Sequence, residues 1–235
     1  MMSLIIAELS NNRQNRMDAL MGLPTTPYVQ NADQILSPEQ TVRIGFNYAG
    51  IAYENSFYQS LGAKSLSSSM AVIACNEGSG GVGLAHLTHA GNPHALSDAG
   101  EEALRLMMTR IGGPLAKVRI VGPNLRGPSV DGFINDVLDV LAEYDAQVLS
   151  ADFRGKESVH SVAVHAGAWS EGLVRGSVNV FSPLAKGTSG AEMTRRIHEM
   201  VNLEGMIHLP NTTGGRIVCS GGDTLEYAHN EPGVF

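Results

Sequence analysis

The stretch that decides the fold is residues 67–89, with the sequence SSSMAVIACNEGSGGVGLAHLTH. Residues 70–75 are apolar and partly β-branched, and residues 82–88 form a second run with the composition of a strand. Between them, residues 76–81 read NEGSGG, which is typical of a turn because glycine adopts positive φ without steric cost. Two such runs around a turn predict a β-hairpin.

The turn also predicts a register for this hairpin. Residues that face each other across it have numbers that sum to about 155, as those of Ser69 and His86 do. The predicted pairing places a hydroxyl beside an imidazole, with Cβ atoms ~5 Å apart. A slip of one residue would send the two side chains to opposite faces of the sheet.

Length and composition limit the function classes. The chain has 235 residues, 43% of them hydrophobic, and 27 glycines, which fits one large α/β domain or one domain with extensions. A net charge of −7 without a basic run makes nucleic acid an unexpected partner. No Cys/His spacing matches a structural zinc site, and no glycine-rich piece matches a phosphate-binding or dinucleotide-binding loop. We therefore predict neither a metal nor a cofactor.

The sequence also bears on location. No segment has the apolar length needed to span a bilayer, so no membrane span is predicted. Residues 1–9 are too short and too poor in basic residues for a secretory signal. We expect a cytoplasmic protein, or one exported as an effector without a cleavable signal peptide.

Residues 41–181 are predicted to form the main domain. Its predicted elements are a strand at 41–48, a loop with one helical turn at 50–66, the hairpin, a helix from the N-cap Ser97 to 111, a strand at 115–121, a helix at 131–144, and strands at 147–151, 158–165 and 173–181. From residue 69 onward the order is β-β-α-β-α-β-β-β. This order predicts an α/β layered sandwich with a mixed, largely antiparallel sheet and the hairpin at its centre.

The two flanking segments are predicted to be additions to this domain. Residues 1–40 are interpreted as an N-terminal extension, because Pro24, Pro27 and a polar run argue against continuous structure. Residues 182–235 are interpreted as a C-terminal elaboration packed on the same domain, with a helix at 191–201 and a hairpin of 216–220 with 225–229.

Ser69 with His86 is the strongest candidate for chemistry, because a nucleophile needs a base within hydrogen-bond reach. On spacing alone, the commoner situation is favoured, in which a solvated serine-rich segment leads into a strand and the histidine is hydrogen-bonded within the fold. Cys75 is an alternative nucleophile, but the predicted register pairs it with Gly80 beside the turn, away from His86. We interpret Cys75, and Cys219 in a later glycine-rich strand, as structural thiols.

Other polar groups are weaker candidates. His86 and His89 are three residues apart on one strand, so they point to opposite faces and, with His94 nearby, do not predict a shared metal. A charged cluster at a strand exit is interpreted as a solvated turn, with a loop at the rim of a site as the alternative; its members are Asp152, Arg154 and Lys156.

Residues 62–175 resemble the CheD family of chemoreceptor glutamine deamidases, which share a superfamily with the catalytic domain of cytotoxic necrotizing factor toxins. The resemblance covers about half of the chain. It is carried by an ordered set of short matches: Leu61-Gly62, the serines before Met70, Gly80-Gly81-Val82-Gly83-Leu84-Ala85-His86, Lys117-Val118 before Gly122, Asn135, and 152–155.

The resemblance implies a protein glutamine deamidase. In such enzymes a cysteine at the start of the first hairpin strand attacks a glutamine side-chain amide, and a histidine on the next strand acts as base. The family's histidine falls on His86, and its cysteine falls on Ser69, because the interval from 69 to 86 matches the family's interval. Backbone N–H groups near Ser69 are expected to form the oxyanion hole.

The chain departs from the family at two positions. A serine hydroxyl at 69 is far less nucleophilic than a thiolate, so either the natural cysteine has been replaced or the natural protein is a pseudoenzyme or a different hydrolase. We favour the first, which makes this chain an inactive Cys-to-Ser form. The family's third residue, often threonine, falls on Ala63, with Ser65 or Ser67 as substitutes.

Two alternatives remain. Laccase-domain proteins of the YfiH type share the superfamily, and His89-Ala90-Gly91 and His165-Ala166-Gly167 are similar to their His-Ala-Gly motif, but their Ala-Asp-Cys signature is absent. A non-catalytic binding module on the same fold is the other. For the deamidase, the expected partner is a protein with an exposed glutamine, either a chemoreceptor or, given the two added segments, a host signalling protein.

Overall fold

The structure of the protein is a computed structural model. It describes residues 4–6, 12–29, 36, 41–54, 59–64, 66–90, 95–111, 116–154, 156 and 159–175, together with the backbone of two later strands at 206–208 and 217–219. The elements, sheets and contacts of the fold are those within these residues.

The described elements are fifteen strands, many of them consecutive, and three α-helices. The strands are β1 Leu4–Ile5, β2 Tyr28–Val29, β3 Thr41–Arg43, β4 Tyr48–Tyr53, β5 Ser60–Lys64, β6 Met70–Asn76, β7 Gly81–Leu87, β8 His89–Ala90, β9 Ala95–Leu96, β10 Lys117–Val121, β11 Gln147–Asp152, β12 Ser161–His165, β13 Leu173–Arg175, β14 Met206–His208 and β15 Ile217–Cys219. The α-helices are α1 Arg13–Gly22, α2 Asp98–Ile111 and α3 Pro128–Glu143. None of them is long and apolar enough to cross a membrane.

Two sheets form the core of the fold. The larger one has eight strands in the order β1-β11-β10-β6-β7-β4-β14-β15, and only β10 and β11 pair in parallel. The smaller one has the order β2-β13-β12-β5-β3, in which β2/β13 and β3/β5 are parallel. The predicted fold class, α/β with a mixed and largely antiparallel sheet around a central hairpin, is confirmed.

The hairpin strands are buried on both faces. In β6, Met70, Val72 and Ala74 join the core beneath the helices, whereas Ala71, Ile73 and Cys75 join the core between the two sheets. The layers are therefore helices, large sheet and small sheet, because alternate residues of a strand point to opposite faces. Large side chains that are fully buried fill these layers, and each stabilises the fold by about 1.5–3 kcal/mol; they include Phe133, Leu104, Met107, Ile73 and Leu84.

Both predicted helices of the main domain are confirmed, with starts that differ by a few residues or fewer. The prediction for residues 50–66 is wrong, because β4 and β5 occupy most of this stretch. Both strands are buried along almost their whole length, so they lack the alternation of polar and apolar residues that marks a half-buried strand. The single strand predicted at 41–48 is β3 followed by a crossing to β4.

The flanking segments contribute strands to both sheets. Within 1–40, β1 pairs with β11, β2 pairs with β13, and Met17 and Leu20 of α1 enter the helix-side core. In the C-terminal segment, β14 pairs with β4, and β15 pairs with β14. The predicted helix at 191–201 and residues 225–229 lie outside the described residues. The domain boundaries at 40 and 181 stay predictions.

Candidate active site

Ser69 and His86 form a buried hydrogen-bonded pair. Ser69 directly precedes β6, His86 lies in β7, and 2.8 Å separates Ser69 Oγ from His86 Nε2. The two residues are 0% and 2% exposed. Both belong to the face of the large sheet that packs against the small one, and the pair lies at the end where β6 begins. A hydroxyl at this distance from an imidazole nitrogen is within reach of a general base.

The hairpin register differs from the prediction by two residues. His86 faces Ala71 and Met70 faces Leu87, so facing numbers sum to 157 (71 + 86) rather than 155. The turn is shorter than predicted because Asn76 and Gly81 already pair, and Asn76 Oδ1 accepts a 2.9 Å hydrogen bond from the Gly78 N–H. An even shift keeps each side chain on its face, so Ser69 still meets His86 along the diagonal.

The tautomer of His86 follows from its second hydrogen bond. His86 Nδ1 lies 3.0 Å from the carbonyl oxygen of Ile44. A carbonyl only accepts, so Nδ1 carries the proton and donates it. In the neutral ring Nε2 is then the acceptor, and the Ser69 hydroxyl donates to it. This is the protonation state in which an imidazole removes a proton from a nucleophile.

Residues 44–47, between β3 and β4, hold His86 from several sides. The Ile44 N–H donates to the Gly62 carbonyl at 2.7 Å, which ties the segment to the small sheet. The Phe46 ring lies 4.6 Å from the imidazole, centroid to centroid, while 37% of Phe46 is exposed. The Asn47 N–H donates to the His86 carbonyl at 2.6 Å. The crossing from one sheet to the other thus fixes both the ring and the backbone of His86.

A second loop supports the residues before Ser69. The N–H groups of Asn124 and Leu125 donate to the Ser67 carbonyl at 3.0 and 3.2 Å. The Ser67 hydroxyl is 3.3 Å from Nδ1 of His160, so Ser67 contacts a different histidine from the one it was expected to assist. Ser65 lies outside the described residues, and Ala63 is a buried residue of β5. The orienting contact to His86 comes instead from the Ile44 carbonyl.

Cys75 lies at the far end of β6 from Ser69 and faces Val82, not Gly80 as predicted. Burial, with a smaller contribution from Glu77, raises the pKa of the Cys75 thiol to about 11. Cys75 is 4% exposed. A neutral, enclosed thiol remote from His86 is structural, not nucleophilic. The side chain of Cys219 lies outside the described residues.

We expect Cys75 to resist alkylation in the folded protein. The experiment uses the Cys219→Ser variant and iodoacetamide at pH 8. Because the pKa of Cys75 is about 11, only about one Cys75 thiol in a thousand is ionised at this pH. Peptide mass mapping checks the label, and the same sample in urea is the control that must react. Modification of the folded protein as fast as of the unfolded one would contradict this environment.

The remaining histidines do not form a cluster in the described residues. His94 lies outside them, His89 is partly exposed in β8, and Nδ1 of His165 accepts the Gly167 N–H at 3.0 Å. Burial lowers the pKa of His165. Within the described ranges no group of three His, Cys, Asp or Glu residues is arranged to hold a metal.

The charged turn after β11 is only partly solvated. Asp152 is fully buried and accepts hydrogen bonds from the Thr26 N–H at 3.1 Å and the Tyr28 hydroxyl at 2.6 Å. Arg154 forms an ion pair with Asp131. The interpretation as a solvated turn is therefore wrong for Asp152, whose carboxylate joins the N-terminal segment to the large sheet.

A comparison with protein-family models gives no match for this chain, and a comparison with curated proteins gives no significant match. The resemblance to the CheD family therefore rests on the residues quoted above. What the site can do chemically follows from its own geometry.

Proposed function

We propose that this chain is a protein glutamine deamidase in which Ser69 occupies the position of the nucleophile. The observation that carries the proposal is the chain of hydrogen bonds from Ser69 Oγ to His86 Nε2, and from His86 Nδ1 to the Ile44 carbonyl. Nucleophile, base and orienting acceptor stand in the order that acyl-transfer sites require. The resemblance to CheD-type deamidases selects the glutamine side-chain amide as the substrate group.

With a thiol at position 69, the reaction proceeds in two steps. His86 Nε2 takes the thiol proton, and the sulfur attacks the amide carbon of the glutamine side chain. The tetrahedral intermediate collapses when His86 returns that proton to the leaving nitrogen, so ammonia departs and a thioester remains. His86 then removes a proton from water, which attacks the thioester, and glutamate is released as the thiol regains its proton.

Serine at position 69 makes the first step slow. A hydroxyl is a far weaker acid than a thiol, so His86 generates much less of the reactive anion. We therefore propose that the chain, as given, is an inactivated Cys-to-Ser form that still binds its substrate. The proposed partner is a protein with an exposed glutamine, either a chemoreceptor or a host signalling protein. In the second case, the chain would act as an effector that is exported without a cleavable signal peptide.

The Ser69→Cys variant tests this function. Incubated with a protein extract, it is expected to release ammonia and to shift substrate glutamines to the mass of glutamate, whereas the chain with Ser69 does neither. Capture of one protein by the Ser69 chain, followed by its deamidation by the variant, would identify the substrate. An intact fold without ammonia release and without a glutamine mass shift on the captured protein would overturn the proposal.

A second candidate is a non-catalytic binding module, and the burial of the pair favours it. With Ser69 and His86 0% and 2% exposed, a glutamine side chain reaches Ser69 only after the covering residues move. The partly exposed Phe46 ring contacts His86, so its movement is one way to uncover the pair. In the binding module, the Ser69–His86 bond is purely structural, and Ser69→Cys gains no activity on any captured partner.

A further inference from the structure

A cavity of about 330 Å³ opens on the surface where three segments meet. It is lined by Met21 at the end of α1, by Arg126 and Gly127 just before α3, and by Arg154 just after β11. None of these residues belongs to the Ser69–His86 pair. The proposed chemistry leaves this cavity without a role.

Positive charge dominates the cavity wall. Arg126 is exposed and makes no ion pair with any described carboxylate; its Nε donates to the Arg154 carbonyl at 2.7 Å. Arg154 forms an ion pair with Asp131, but its Nε is buried and has no hydrogen-bond partner among the described residues. Of the two guanidinium groups at the cavity, only that of Arg154 is paired with a carboxylate, so the positive charge of Arg126 stays available to an anionic ligand.

The start of α3 adds to this field. Its N-cap is Gly127, which has no side chain to accept hydrogen bonds from the first turn. The first helical residue is Pro128, which has no N–H, and the Val130 N–H donates to the Gly127 carbonyl at 3.0 Å. The helix dipole, partly offset by Asp131 in the first turn, is therefore what favours an anion at this end. A Cβ built on Gly127 would meet no atom within 4 Å, so the space beside this end of the helix is open.

The two arginines and the far wall are held in place. Arg154 has a φ of 55°, in the left-handed region that non-glycine residues rarely adopt, and its N–H donates to the Pro123 carbonyl at 2.8 Å. Lys156 reaches across to the Met21 carbonyl at 3.3 Å and fixes the end of α1. Strained backbone that the surroundings enforce is common at binding sites.

The neighbouring surface has an apolar component. Among the described residues the large apolar side chains that are exposed are Met21 at 39%, Leu125 at 51% and Phe46. Met21 lines the cavity, and Leu125 directly precedes Arg126. A free inorganic anion would use the charges alone, whereas a peptide would also cover these two side chains. On a protein of net charge −7, this patch is a local exception.

We propose that this cavity binds a carboxylate side chain from an acidic, partly apolar segment of a partner protein. The planar guanidinium of Arg126 matches the two oxygens of a carboxylate, and Met21 and Leu125 contact the adjoining apolar residue. The loop that carries Arg126 also donates hydrogen bonds, from the N–H groups of Asn124 and Leu125, to the Ser67 carbonyl. A bound segment therefore lies beside the loop that supports the Ser69–His86 pair. The binding does not depend on chemistry at Ser69, so it is testable in the chain as given.

Calorimetric titration with three probes tests the proposal on the full chain. The probes are acetyl-Glu-Glu-Leu-amide, its neutral match acetyl-Gln-Gln-Leu-amide, and inorganic phosphate. We expect the acidic peptide to bind more tightly than phosphate and the neutral peptide not to bind. Arg126→Gln should weaken the acidic peptide about tenfold or more, and added salt should weaken it further.

Arg110→Gln is the matched control, because it removes the same charge from an exposed arginine in the last turn of α2. It should leave peptide binding unchanged. Equal loss in both variants would show a response to net charge only and would overturn the site. Binding of phosphate alone would overturn the peptide assignment in favour of a free anion. Binding of neither the acidic peptide nor phosphate would overturn the proposal that this cavity is an anion site.

Discussion

Replacing His86 by glutamine in the Ser69→Cys variant is expected to lower kcat/KM for deamidation by about 10²–10⁴-fold, the usual contribution of a positioned general base. Glutamine has similar reach, and its amide N–H₂ can still donate to the Ile44 carbonyl, as Nδ1 of His86 does at 3.0 Å. It cannot take the proton from position 69. Ammonia release under substrate-limited conditions measures the change.

The control for this variant is His160→Gln in the same background. His160 is an exposed histidine that contacts Ser67, so its replacement tests for a general effect of removing a nearby imidazole. We expect its kcat/KM to stay close to that of Ser69→Cys alone. A loss as large as that of His86→Gln would contradict the assignment of His86 as the base, as would full activity without His86.

The hairpin and the amphipathic helices are predictable from sequence, since their signals are local. Apolar residues at helical spacing define α2 and α3, and the glycine-rich turn between apolar runs defines β6 and β7. The register was missed by two residues because it depends on which residues the turn leaves unpaired, and composition does not specify where the turn is centred. The predicted contact between Ser69 and His86 is still found, because a shift by an even number of residues keeps each side chain on the same face of the strand.

The support of His86 could not be predicted from sequence. Its orienting acceptor is the backbone carbonyl of Ile44, a group that every residue has and that no motif marks. It also depends on the crossing between β3 and β4, which was predicted to be part of a single strand at 41–48. Side-chain candidates such as Ser67 were considered because only side chains leave a signal, and Ser67 contacts His160 instead.

Residues far apart in the chain also meet at this end of the fold. Residues 122–128 fall between the predicted strand at 115–121 and the predicted helix at 131–144, yet the Gly122 N–H donates to the Asp152 carbonyl at 2.6 Å, and Gly122 packs against the segment that carries Ser69. Such contacts depend on the relative position of β6, β10 and β11. In the sequence, only the glycine at position 122 indicates that two backbone segments approach each other closely here.

Gly122→Ala is expected to destabilise the protein by roughly 2–5 kcal/mol. Gly122 has a φ of 76°, a conformation that costs an L-residue about 1–2 kcal/mol. A Cβ there would also lie 2.5 Å from the Ser69 carbonyl oxygen and 2.9 Å from that of Leu66, and overpacking of this kind typically adds about 1–3 kcal/mol. Chemical denaturation monitored by circular dichroism gives the free energy of unfolding.

Gly80→Ala separates the two contributions. Gly80 has a similar φ of 65°, but a Cβ on it would meet nothing within 4 Å, so only the backbone term of about 1–2 kcal/mol applies. The excess loss in Gly122→Ala then measures the contact with the Ser69 segment.

Because backbone atoms cannot move aside as a flexible side chain does, the segment from Leu66 to Ser69 must shift, and deamidation in a Ser69→Cys background should fall with it. Equal losses of stability in the two variants would mean that Gly122 does not approach Ser69 closely, and that the loop from 122 to 125 is not what holds the nucleophile position against His86.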